Sequence, residues 1–318
     1  MKKIICVPFA YEAQLNSGVN LSSGADRLKL YLKNAAVSLC SAKHYNPDCS
    51  VVFATNMDLD QIPEDIQRSF ARFGVEVAHI PFDRYRFGNG YKWALAFYKL
   101  CVLSHLAEED WDKIAYMDTD VYVQMPFDAV WEECSENILL YDVTHGLNTG
   151  EYVAINEEFT NFQQKNTYPT HYGGEFFAAS KENAMAFEAA ARKIYQKMQE
   201  EAFVTEKGDE FIVSLAANTM RNKVKNASPY IHRFWTGARF RLTSTIYKYN
   251  PVVVCHMPAE KEKGIVTIYN RYISKGTIPA NKKVWKLCRL TVQPFYTRAA
   301  IWAYEILKKR GAKGNGNV

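Results

Sequence analysis

Lys113–Val123 reads KIAYMDTDVYV. An apolar, strand-like run stops in two aspartates, Asp118 and Asp120, with one residue between them. In an extended segment, side chains two apart project to the same side. Both carboxylates therefore aim at one spot, and Thr119 points away. Two carboxylates cannot share a small volume unless something positive lies between them. A hard divalent cation, Mn²⁺ or Mg²⁺, prefers oxygen ligands and commonly brings a phosphate with it. Ligands of open α/β sheets sit beyond the carboxyl ends of strands, which is where this pair falls. A lone Asp-x-Asp is also read as a solvated turn. The apolar run before it, VYVQMPF after it and the pattern of the flanking chain favour the site.

Upstream, 3–9 and SVVFAT (50–55) are apolar runs typical of strands covered on both faces. VEVAHIPF (75–82) is a third strand, and DKIAYMD (112–118) a fourth. Helical segments are predicted over 25–42, 63–73 and 91–107, the second opened by Pro63. Downstream, NILLYD (137–142), EYVAIN (151–156), GGEFFAAS (173–180) and VVVCH (252–256) read as strands, with helices over 181–200 and from 208. Strands alternating with helices predict an α/β fold: one continuous, mostly parallel sheet with right-handed crossovers. The first half of such a sheet suits a nucleotide and the second half the group transferred.

The chain has 318 residues, 48% of them hydrophobic, enough for a large core and against disorder. The seven cysteines are odd in number, scattered, and lack a Cys-x-x-Cys pair. That spacing favours a reducing, cytoplasmic setting over a disulfide framework. MKKIICVPFAYE imitates a secretion signal for a few residues only, since Pro8 and Glu12 interrupt it. No run reaches the roughly 18 apolar residues of a membrane span. The net charge of +5 is uneven: from Lys282 onward nine basic residues face one acidic residue, Glu305.

KIAYMDTDVYV, with its preceding strand–helix units, resembles the GT-A glycosyltransferases, whose fold is a Rossmann-like nucleotide-diphospho-sugar transferase sheet flanked by helices. The nearest likeness is to the retaining Asp-x-Asp families, such as glycogenin and the bacterial lipooligosaccharide galactosyltransferases. It spans about residues 3–263, and only the Asp-x-Asp block is close residue by residue. It implies that Asp118 and Asp120 hold Mn²⁺ (or Mg²⁺) against the diphosphate of a nucleotide sugar, UDP-linked in the first instance. Asp118 would also lie near the ribose. WALAFYKL (93–100) resembles the family's helix with a donor-contacting basic residue, which implies Lys99, with Lys92 as the alternative and a solvated charge as the plain reading. Asn56 follows the second strand, where a nucleotide or an ordinary turn is met. GGEFFAAS resembles the strand lining the donor sugar, where two glycines permit close approach. Glu175 there meets sugar hydroxyls or sits at an edge in water.

GDEFIVSLAAN (208–218) resembles the stretch that carries an acidic residue and then Gln or Glu. By that likeness Asp209 bonds sugar hydroxyls and Glu210 lies beneath the anomeric carbon, where a Glu can serve as a covalent nucleophile and the family's Gln members are thought to react on one face. Both also suit a helix N-terminus. VVVCHMPAEKEKG (252–264) resembles the late His-x-x-x-x-x-Lys block, so His256 would complete the metal site. The lysine that contacts the diphosphate is displaced by one residue, to Lys261 or Lys263. In an inverting enzyme, Glu175 or Glu210 would be the general base.

The tail VWKLCRLTVQPFYTRAAIWAYEILKKRG (284–311) mixes aromatic and basic residues and is broken by Pro294 into two amphipathic helical pieces. It suits an anionic membrane interface, with a helix packed on the body as the plain alternative. Single-stranded nucleic acid is a less fitting partner. The division expected is a transferase domain over 1–280 and a basic aromatic tail over 281–318. The function expected is a hexosyltransferase-like enzyme acting on a glycan or glycolipid at the inner face of a membrane. A non-catalytic membrane-associated binding protein of the same fold, or a nucleotidyltransferase, are the alternatives. The latter wants a Gly-rich basic loop after the first strand, which PFAYEAQLNSG does not resemble.

Overall fold

The computed structural model describes residues 1–12, 27–88, 91–165, 168–237, 252–291 and 295–314. Its strands are β1 (Lys3–Phe9), β2 (Ser50–Thr55), β3 (Glu76–His79), β4 (Lys113–Met117), β5 (Val121–Val123), β6 (Ile138–Asp142), β7 (Tyr172–Ser180), β8 (Val224–Asn226), β9 (Ile231–Arg233) and β10 (Val254–His256). Seven of them form a sheet in the order β3-β2-β1-β4-β7-β6-β8. β1 pairs in parallel with β2 and β4, and β2 with β3. β7 enters antiparallel between β4 and β6, and β8 is parallel to β6. The mostly parallel α/β architecture expected from the alternating pattern is therefore present.

The helices are α1 (Arg27–Tyr45), α2 (Glu64–Phe73), α3 (Tyr98–Glu108), α4 (Asp128–Glu133), α5 (Gly150–Gln163), α6 (Lys181–Glu200), α7 (Asp209–Thr219), α8 (Gly264–Arg271), α9 (Asn281–Leu287) and α10 (Phe295–Gly314). They cover the sheet on both faces. β1 explains its own lack of polar alternation: Ile5 and Val7 enter the core beneath α1 and α2, while Ile4 and Cys6 enter the core beneath α3 and α6. Local signals set the helix ends. α2 follows Pro63 and stops at Gly74, whose φ of 75° is the left-handed conformation that glycine adopts freely. α6 is capped by the Ser180 hydroxyl, which accepts from the Asn183 N–H.

The fold corrects three expectations. EYVAIN is part of α5 and not a strand. Thr149 caps that helix, and Tyr152, Ile155, Phe159 and Phe162 fall on its buried face at three- and four-residue steps. The sheet is not continuous either: β10, the core of VVVCH, pairs with β5 and β9 in a separate three-stranded sheet of order β5-β10-β9. Residues 91–97 are turn and 3₁₀ helix, so α3 begins only at Tyr98.

All seven cysteines are buried and unpaired. Beyond residue 280 the chain still packs on the body. Val284, Cys288 and Leu290 lie in the core, Trp285 donates its indole N–H to Gln124 Oε1 at 2.7 Å, and Arg289 pairs with Glu260. α10 differs, because it exposes Phe295, Tyr296, Trp302 and Leu307. No helix among the described residues is long and apolar enough to cross a membrane.

Candidate active site

The chain lays β1, β2 and β3 outward in one direction and then returns to place β4 on the other side of β1. The carboxyl ends of β1 and β4 border the crevice that such a reversal leaves open. Asp118 follows β4 directly, and its N–H donates to the Glu175 carbonyl at 3.0 Å, extending the β4–β7 pairing by one bond. The chain then turns over Thr119 and Asp120 before β5. The two carboxylates thus converge across a turn rather than by alternation along an extended strand.

The small sheet supplies the third group. β10 runs antiparallel to β5 with His256 opposite Val121, and the Met257 N–H donates to the Asp120 carbonyl at 3.0 Å. This register sets His256 Nε2 3.2 Å from Asp120 Oδ2 and 4.0 Å from Asp118 Oδ2. The other ring nitrogen lies 3.3 Å from Glu175 Oε1. Asp118, Asp120 and His256 offer ligand atoms all within 4.8 Å of one another. Two carboxylates and an imidazole are a donor set that suits Mn²⁺, and their spacing fits one ion.

Cations flank this group. Lys261 Nζ lies 3.3 Å from Asp120 Oδ2, over the Tyr31 ring of α1. Lys99, in the first turn of α3, reaches Asp118 Oδ1 at 3.1 Å and Asp209 Oδ2 at 2.9 Å. Asp209 opens α7 just after Gly208, whose backbone (φ 62°, ψ −141°) is open to glycine alone. Next to Asp209, Glu210 is held from two sides. His171 Nε2 is 2.9 Å from its Oε2, and Arg233 Nη2 is 3.2 Å from its Oε1. The Arg233 guanidinium also forks onto Glu175, donating from Nε and Nη2 at 2.7 Å each.

Glycines 173 and 174 make room for this network. A Cβ on Gly173 would stand 1.9 Å from Glu175 Oε2, and one on Gly174 would stand 2.0 Å from Asp209 Oδ2. The close approach expected of the two glycines therefore serves neighbouring side chains.

Five carboxylates (Asp118, Asp120, Glu175, Asp209 and Glu210) face three permanent cations, Lys99, Lys261 and Arg233. Leaving the histidines aside, the carboxylates outnumber these cations by two, the charge of one divalent cation. Burial pushes the Asp120 carboxyl up, but Lys261 and His256 outweigh it and hold it well below the ordinary range. Burial likewise acts against Glu175 and is overcome by Arg233 and His256. Burial opposes charge on His256, yet Asp120 and Glu175 raise it to about 9. For Glu210, His171 and Arg233 overcome burial and lower the pKa. Asp209 moves the other way, to about 6, because burial and the adjacent Glu210 outweigh Lys99.

The structure thus brings together Asp118, Asp120, His256, Lys261, Lys99, Asp209, Glu210 and Glu175. It does not bring in three of the other residues singled out from the sequence. Asn56 spends its amide on the Tyr11 backbone, accepting at 2.8 Å and donating at 3.1 Å. Lys263 stands at the start of α8, and Lys92 lies over the Trp93 ring. Sequence reasoning missed Arg233 and His171. The available signal was the demand of buried carboxylates for cations, with IHRFW (231–235) a short apolar stretch interrupted by one arginine.

No protein-family model matches the chain, and no curated protein matches it in sequence. Among solved structures, the apo form of mouse xyloside xylosyltransferase 1 matches with a TM-score of 0.46 and 12% identity, over 80% of this chain and 96% of that one. So distant a likeness carries no chemistry across, and the functional reading rests on the geometry of the site.

Proposed function

We propose that the chain is a metal-dependent glycosyltransferase. It moves a hexose-type sugar from a nucleotide donor, UDP-linked, to a hydroxyl of a glycan or glycolipid, with retention of configuration. One observation carries this reading: three metal-type ligands, a Lys99–Asp209 pair and an anchored Glu210 meet at the point where the strand order reverses. Asp118, Asp120 and His256 would hold Mn²⁺ or Mg²⁺, which stabilises the negative charge growing on a departing nucleoside diphosphate. Lys261 adds a positive charge on the same side. Asp209 is fixed by Lys99, yet its Oδ2 accepts no well-aligned hydrogen bond. In the proposed reaction Asp209 would accept from a sugar hydroxyl.

Glu210 faces the oxocarbenium-like centre as a fixed anion or as its nucleophile. Two points favour Glu210 over Glu175 in that role. Arg233 holds Glu175 in the tighter fork, at 2.7 Å against 3.2 Å to Glu210, and the Glu175 side chain is 1% exposed against 25% for Glu210. His171 and Arg233 overcome burial and lower the Glu210 pKa, which keeps it an anion, as a charge-stabilising role requires.

The same reading divides the chain into a catalytic body that extends through Leu290 and a basic aromatic tail helix, α10. That helix would rest on an anionic membrane at the cytoplasmic face, near the acceptor. Sedimentation with anionic vesicles tests it: Phe295→Ala/Trp302→Ala in the full chain should lower binding, and unchanged binding rules out the tail.

The activity itself is tested by incubating the protein with a panel of UDP-, GDP-, ADP- and dTDP-sugars and Mn²⁺, and following nucleoside diphosphate release. Turnover of at least one donor, lost in Asp120→Asn, is expected. Donor binding without release from any member would support a non-catalytic binding protein instead.

A further inference from the structure

On the side of α3 turned away from Lys99, two ligand-type residues stand one helical turn apart: Cys101 and His105. The segment after β3 brings Asp83 against both. His105 Nε2 lies 2.8 Å from Asp83 Oδ1, and Cys101 Sγ lies 3.6 Å from the same oxygen. All three ligand atoms fall within 4.8 Å of one another.

We propose that Asp83, Cys101 and His105 form a second cation site, structural in role and suited to Zn²⁺. The donor chemistry differs from that of the Asp118 cluster. A thiolate, an imidazole and one carboxylate select a borderline-soft ion over Mg²⁺ or Mn²⁺. The geometry is close to what that ion needs. Bonds of about 2.0–2.3 Å in a tetrahedron set ligand atoms roughly 3.3–3.6 Å apart. The sulfur–oxygen separation already matches. The nitrogen–oxygen separation is that of a hydrogen bond, and it opens by about 0.5 Å when an ion replaces the proton between them.

The surroundings suit a metal. Cys101 is buried, and burial raises its thiol to about 11 although backbone N–H groups of Arg84 and Asp83 are directed at the sulfur; its S–H donates to the Pro81 carbonyl at 3.3 Å, so an ion must displace that proton to bind. Asp83 is half exposed and His105 21% exposed, so one side of the cluster opens to water for entry and for a fourth ligand. Arg84, the neighbouring cation, does not fill the site because it is turned to Glu108 at 2.7 Å. Binding releases the Cys101 thiol proton to solvent and leaves the ion balanced by one thiolate and one carboxylate. Such an ion would staple the segment after β3 to α3, the helix that carries Lys99.

Cobalt(II) gives a specific readout, because a thiolate-to-cobalt charge-transfer band in the near ultraviolet requires a sulfur ligand. The Asp118–Asp120–His256 cluster has none. Full-length protein stripped with chelator and titrated with Co²⁺ should develop this band to saturation at one equivalent, and Zn²⁺ should abolish it. The band should be absent from Cys101→Ser and His105→Gln and retained in Asp120→Asn. Should Cys101→Ser fail to fold, the more exposed His105→Gln and Asp83→Asn report on the same band. No band in the wild-type protein, a band that survives both His105→Gln and Asp83→Asn, or a band lost in Asp120→Asn overturns the site and leaves a surface Asp–His pair beside a buried thiol.

Discussion

Arg233 holds Glu175 in a fork, Nε to Oε1 and Nη2 to Oε2, each 2.7 Å long. The carboxylate is 1% exposed and the guanidinium side chain 20%. β9 and β7 belong to different sheets, so this pair ties the small sheet to the large one behind the carboxylate cluster. The same guanidinium then reaches Glu210. One side chain thereby fixes two of the acids on which the proposed chemistry depends.

Arg233→Ala should leave Glu175 charged in the interior, with His256 as a remaining partner. Breaking one side of a buried pair typically costs about 3–5 kcal/mol. Urea denaturation should register a loss of that order. Arg233→Lys keeps the charge without the fork and should recover only part of it. A loss below about 1 kcal/mol would mean that the pair is solvated and carries little.

Gly174→Ala separates positioning from stability. The new Cβ falls 2.0 Å from Asp209 Oδ2 and 2.9 Å from Lys99 Nζ, so the Lys99–Asp209 contact must open. Turnover should fall by about 10-fold or more, on the scale of a displaced catalytic group. The thermal midpoint should move far less than in Arg233→Ala. Full activity in Gly174→Ala would remove that contact from the mechanism.

Glu210→Gln keeps the shape of the side chain and deletes its charge. With Glu210 at the sugar, the nucleoside diphosphate release rate should drop by roughly 10²-fold or more, the scale of losing one charge-stabilising group. Donor binding measured by calorimetry should persist. Equal turnover would transfer the role to Glu175 or abolish it.

The stability of the metal-free protein should depend on His256. Its pKa is about 9 in the fold, against 6.5 for the ordinary imidazole. A raised pKa means that the folded state binds the proton more tightly. The associated stability is fully present below pH 6.5 and is lost as pH rises toward 9. Denaturation series across that window should show the decline, and His256→Gln should flatten it. A stability flat from pH 6.5 to 9 in the wild type contradicts a charged imidazole between Asp120 and Glu175.

Much of the fold was legible because its central strands are unbroken apolar runs, as in KIICVPF, and because Pro63, Gly74 and Ser180 mark helix ends. EYVAIN misled because Tyr, Val and Ile favour strands over six residues. Only the longer window, with Tyr152, Ile155, Phe159 and Phe162 in step, reveals the helical period. The Asp118–Asp120 pair was legible as a convergence of charge. Its partners were less so. Arg233 meets Glu175 across 58 positions, and His171 meets Glu210 across 39, distances at which spacing in sequence carries no geometric information. Three-residue strands such as β9 and β10 are too short to reveal which sheet they join.

The central claim is that Asp118, Asp120 and His256 hold one divalent cation that in turn holds a nucleotide diphosphate. Electron paramagnetic resonance of Mn²⁺ measures this directly, since the aqueous ion's signal disappears as the ion is bound. The account predicts that the full-length protein takes up one equivalent, that UDP tightens the binding at least 10-fold, and that Asp118→Asn/Asp120→Asn abolishes both effects. Unchanged Mn²⁺ uptake in that double variant, or wild-type uptake indifferent to UDP, would contradict it.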